Sequence, residues 1–104
     1  MTGPVTAAEV ETFRTALEAM LREHHTKAGN VGDPPRVTIM DGSRYCRIVT
    51  EDAGSRSAYG FIDRMNGDLL KSSGWKAPAK HARGNLRGEK PLAGCGPYGM
   101  AYLA

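Results

Sequence analysis

The chain has 104 residues, 40% of them hydrophobic and 24% charged, which suits one globular domain with a single core and leaves no room for two. It holds no apolar run of the ~18 residues a membrane span needs, and its opening "MTGPVTAAEVE" lacks the basic and apolar regions of a secretory leader, so a cytoplasmic setting is expected. The formal charge of +3 is unevenly spread: residues 1 to 70 carry eight Lys/Arg against ten Asp/Glu, whereas residues 71 to 90 carry six against Glu89 alone.

In chain order, Thr6 and Glu9 come first, with the spacing of a capping box in which each side chain covers a free amide at a helix start. The helix predicted over about 7–28 places Val10, Phe13, Leu17, Met20, Leu21 and His24 on one face and Glu11, Arg14, Glu18 and Arg22 opposite. Gly29 or Asn30 supplies its left-handed stop, and the two prolines of "NVGDPP" make 30–35 a linker.

Strand-like runs follow at 36–40 and 45–51, then "AYGFIDRM" and "DLLKSS" on either side of Asn66-Gly67. Asn-Gly at that place predicts a type I′ hairpin, and the whole of 36–73 a four-stranded antiparallel meander. Tyr59 and Phe61 share one strand face, on which Tyr45 and Arg47 of the preceding strand could also lie; exposed aromatics there would stack bases, but Tyr59 and Phe61 at period two are expected to form the core face beneath the helix. The expected fold is therefore α+β, with the helix packed across the meander. Beyond Gly74 lies a basic loop, 74–90, in which Pro78 opens a short helical turn, "PAKHAR", closed by Gly84. The tail 91–104 is rich in glycine and proline, and "YGMAYL" reads as a fifth strand or an extended end.

Catalytic patterns are missing. There is no P-loop, G-x-G-x-x-G, G-x-S-x-G or H-E-x-x-H, His24 and His25 are neighbours that point apart on a helix, and His81 has no sequence-local partner. Cys46 and Cys95 are distant and unpaired with histidines, so two reduced thiols are expected, with no metal site and no cofactor.

What remains is the basic segment. Lys71, Lys76, Lys80, Arg83 and Arg87 are suited to phosphate contacts and His81 to donating a hydrogen bond, because clustered like charge is costly unless an anion sits over it. Trp75 is either a core anchor or a flat surface on which a base stacks.

From "NGDLLKSSGWKAPAKHARGNL" the chain resembles a group of short, uncharacterised proteins of bacteriophages and environmental viruses, which share an Asn-Gly hairpin, Trp-Lys-x-Pro-Ala-Lys and a closing Arg-Gly. "YGMAYL" is similar to their Tyr-Gly-x-x-Tyr ending. The likeness runs from Phe61 to Leu86 plus the tail and touches Trp75, Lys76, Pro78, Lys80, His81, Arg83 and Gly84. It implies a viral setting, in the cytoplasm of a bacterial host, and no mechanism.

The expectation is a non-enzymatic module that binds a phosphate-bearing partner, DNA or RNA with little sequence preference, through residues 71–90. Two alternatives stand beside it. One is a sponge for a small signalling nucleotide, its pocket closed across a homo-oligomer interface; the other is a protein interaction module docking on an acidic protein.

Overall fold

The capping box starts α1, Ala7–Lys27: in the computed structural model Thr6 Oγ1 accepts from the Glu9 amide at 3.1 Å and Glu9 Oε1 accepts from the Thr6 amide at 3.0 Å. Ala28 caps the end of the helix, and Gly29 just beyond it, with a φ of +70°, is the left-handed stop. The structure describes residues 3–29, 32–52, 54–92, 94–96, 99 and 100. Asn30 and Val31 of the expected linker, and Tyr98 and residues 101–103 of the closing stretch, lie outside them.

Five strands follow: β1 Arg36–Met40, β2 Tyr45–Asp52, β3 Ser55–Asp63, β4 Asp68–Ser72 and β5 Pro78–Asn85. They form one antiparallel sheet in chain order. A short pair, β6 Cys95–Gly96 and β7 Gly99–Met100, closes the described chain, so part of the stretch expected as a fifth strand pairs here instead of joining the main sheet.

The predicted meander is thus extended by one strand, and the helical turn expected at 78–83 is not there. An exposed β4 edge would leave a row of unpaired amide and carbonyl groups, which a helical turn could not satisfy and a strand can. Leu69 pairs with Gly84 and Leu70 with Ala82 across that edge. The register shifts twice along β5, and His81 takes a φ of +69°, so the segment reaches its partners only by bulging.

The turn at Asn66-Gly67 also differs. Among the described residues Gly67 is at positive φ and Asn66 is not, which rules out type I′. The Asp63 carbonyl instead accepts from the Gly67 amide at 2.8 Å, while Asp63 Oδ1 and Asn66 Oδ1 accept from the Met65 and Asp68 amides. Local side-chain acceptors favour this longer loop over a two-residue turn.

α1 covers one face of the sheet. Phe13, Leu17 and Leu21 pack on Val37, Cys46, Ile48, Tyr59, Ile62 and Leu69, all buried. Each large apolar side chain so buried contributes roughly 1.5–3 kcal/mol. Tyr59 joins this core because β2 and β3 slip register between Ile48 and Val49: Ile48 pairs with Gly60 but Val49 with Ala58, leaving Tyr59 as the extra residue. Its hydroxyl donates to the Gly96 carbonyl at 2.7 Å and ties down β6. No helix among the described residues is long and apolar enough to cross a membrane.

Candidate nucleic-acid interface

The register that puts Cys46, Ile48 and Ile62 under α1 sends Tyr45, Arg47 and Phe61 to the other face, since successive side chains on a strand alternate. Tyr59 and Phe61 therefore do not share a face, contrary to the alternation expected for an unbulged strand. Phe61, Val49 and Leu70 are buried, yet none belongs to the core beneath the helix.

The 73–77 loop supplies a lid for part of this face. Ser73 donates its amide to the Ala77 carbonyl at 3.0 Å, and the Ser72 hydroxyl bonds the Gly74 carbonyl at 2.5 Å, which turns the chain back toward the sheet. Arg47 Nε donates to the Trp75 carbonyl at 2.7 Å. The Arg47 guanidinium lies 4.8 Å from the Trp75 ring centre and 5.8 Å from that of Phe61, so it is stacked against two aromatic rings. Arg56 lies 5.7 Å from the same indole, and both arginines also reach the Met40 sulfur. Tyr45 meets Phe61 edge-on at 6.3 Å, and Arg44 sits 5.3 Å over the Tyr45 ring.

Beside these rings a cleft of about 260 Å³ is lined by the β1–β2 turn, Arg44, Arg47 and Lys76. Asp41 also lines it, its Oδ1 accepting from the Cys46 thiol at 3.5 Å, and Arg44 is within 3.6 Å of Asp63. Arg47, Arg56 and Lys76 make no ion pair with a carboxylate among the described residues. Weakly hydrated guanidinium groups suit such stacked positions while keeping their charge available to an anion.

A family model matches residues 5–95, within which every one of these side chains falls. The chain belongs to the DUF7717 family. DUF7717 is described as a family of unknown function, and no curated protein and no solved structure matches the chain. The DUF7717 match begins at Val5, just before the α1 cap, and ends at Cys95 in β6, so it takes in the helix, all five strands of the sheet and the Trp75 loop.

The basic segment singled out in the sequence does not fold into one cradle. Trp75 and Lys76 lie over the helix-free face, with Trp75 39% exposed. Lys80 and His81 are exposed on the edge strand β5. Arg83 turns back, its guanidinium donating to the carbonyls of Lys80 and His81. Lys71 pairs with Gly60 and shares the strand face of Leu69, opposite to Phe61 and Leu70. Arg87 is engaged elsewhere: its guanidinium grips the Glu9 carboxylate at 2.6 and 2.9 Å and the carbonyls of Gly3 and Pro4.

Sequence reasoning missed Arg44 and Arg56. Arg47 was visible, as one of the residues alternating onto the face of Phe61. Arg56 follows a turn and carries no local signal.

The rest of the described surface offers little chemistry. A cleft of about 500 Å³ between the start of α1 and the β1–β2 hairpin contains Arg14, Asp41, Cys46 and Arg64. Burial and then the Asp41 hydrogen bond push the Cys46 thiol up, and burial raises Cys95, so neither is an activated nucleophile. Both cysteines are free, and no group of three or more His, Cys, Asp or Glu among the described residues could hold a metal ion.

Proposed function

We propose that this protein is a non-enzymatic module that binds DNA or RNA with little sequence preference on the helix-free face of its sheet. The observation that carries this reading is the Arg47 guanidinium, stacked against Phe61 and Trp75 and paired with no carboxylate among the described residues, with Arg56 and Lys76 beside it. Phosphates satisfy such charges, and aromatic rings take bases of any identity. The cations of the 71–90 segment divide accordingly. Lys76 contacts phosphate, Lys80 extends the basic surface along β5 with His81 beside it as a hydrogen-bond donor, and Arg87 serves the fold. The likeness of residues 61–86 to small phage proteins supports a viral setting, in the cytoplasm of a bacterial host.

Fluorescence anisotropy with a labelled oligonucleotide at rising salt tests this. Three or four phosphate contacts give a slope of log affinity against log salt of about −2 to −3. A double Arg47→Ala, Lys76→Ala variant loses about half to two-thirds of that slope, while Arg87→Ala changes stability rather than the slope. A flat salt response, or saturation by a mononucleotide with no binding of oligonucleotides, overturns the proposal.

A further inference from the structure

Resting on that reading, we infer that the nucleic acid is single-stranded, with an unpaired base stacked on the Trp75 indole and a neighbouring phosphate seated in the cleft between the β1–β2 turn and Lys76. Trp75 is the exposed aromatic side chain among the described residues, and its loop is fixed by the Arg47 bond to its carbonyl. A ring held in place before the ligand arrives loses little freedom on binding. In a duplex both faces of each base are already covered by its neighbours, so an indole on a sheet surface has nothing to stack against. An unpaired base offers a free face. Among the described residues no helix lies on this side of the sheet to enter a major groove, since α1 packs on the opposite face.

The phosphate position follows from the chain itself. Lys76 is the next residue after Trp75, and Arg47 both stacks on the indole and lines the cleft. Base and phosphate subsites thus adjoin through one shared guanidinium. Arg44, opposed by Asp63, contributes less than Arg47 and Lys76.

Trp75 is the chain's single tryptophan, so its fluorescence reports directly on the proposed stack. Three probes of equal length are titrated: oligothymidylate, an abasic strand and a duplex. Oligothymidylate is expected to quench the emission and to bind at least about five-fold tighter than the abasic strand. By anisotropy, Trp75→Phe keeps part of that preference and Trp75→Ala loses it. Equal affinity for abasic strand and oligothymidylate, or for the duplex, overturns the single-strand inference and leaves the proposed function intact. Failure of all three probes to bind overturns both.

Discussion

The Glu9 carboxylate closes the first turn of α1 and, with the same two oxygens, grips Arg87 from the other end of the chain: Oε1 accepts from the Thr6 amide and from one guanidinium nitrogen, Oε2 from Nε. One side chain therefore serves both the helix cap and the anchoring of the segment after β5. Arg87 adds two bonds to the carbonyls of Gly3 and Pro4, which pins the approach to the helix as well.

This arrangement makes acid stability depend on Glu9. The Arg87 hydrogen bonds first, and the Thr6 amide second, hold its carboxyl at about 2, below the ordinary 4.5. Because the folded value is the lower one, the stabilisation is fully present above 4.5 and is lost as pH falls from there toward about 2. Glu9→Gln should lower the melting temperature at neutral pH and should also flatten its fall across that window. Thermal melts of both proteins as a function of pH measure the difference, and parallel curves would show that the pair does not contribute.

A second carboxylate guards a sheet edge. Glu18 Oε2 accepts from the Val37 amide at 2.9 Å while Arg14 donates to the Val37 carbonyl at 3.1 Å, so two helix side chains occupy the place of a missing strand. Glu18→Ala leaves that amide without its partner at an expected cost of about 1–3 kcal/mol, and Glu18→Gln, which keeps an acceptor, costs less. Urea unfolding gives the ranking. Opening the β1 edge should also produce concentration-dependent self-association in the alanine variant, visible by sedimentation.

The helix was legible because its signals are local: a cap, an apolar stripe and a terminal glycine within one stretch of chain. The sheet was legible as far as β4. β5 was not, because Ala79, Ala82 and Gly84 have weak preferences of their own and form a strand only because β4 presents an unpaired edge. The site was half legible. A run of cations along the sequence became a scattered set in space, since strand alternation, two register shifts and a partner for Arg87 placed 78 residues upstream all act over distances that local patterns do not record. Trp75 and Lys76 kept their place in the proposed site, while the arginines they meet came from β2 and β3.

Two glycines near the face should respond differently to alanine. A Cβ on Gly42 would come within 2.6 Å of the Tyr45 carbonyl oxygen, whereas one on Gly74 would meet nothing within 4 Å. Gly42 also accepts from the Arg64 guanidinium in the turn that presents Arg44 and Tyr45. Gly42→Ala is expected to cost about 1–3 kcal/mol and to weaken oligonucleotide binding by displacing those side chains. Gly74→Ala should stay within about 0.5 kcal/mol of the parent protein. Chemical denaturation of the two variants side by side gives the comparison, and equal losses would mean that the turn relaxes around the added methyl group.

Charge alone and the flat shape of the guanidinium can be separated at Arg47. Lysine there keeps the positive charge, but its ammonium is compact and strongly hydrated, and it cannot both lie against two rings and donate from Nε to the Trp75 carbonyl. The lost cation–π contact, about 0.5–1 kcal/mol, and the lost hydrogen bond, about 1 kcal/mol, make Arg47→Lys less stable by roughly 1–2 kcal/mol. Its tryptophan emission should move to the red as the 73–77 loop loosens, and oligonucleotide affinity should fall about ten-fold with no change in net charge. Lys76→Arg, where the parent side chain makes no stack, should bind at least as tightly as the parent. If Arg47→Lys matches the parent in emission and affinity, the face acts only as a patch of charge, and the geometry around Trp75 has no part in recognition.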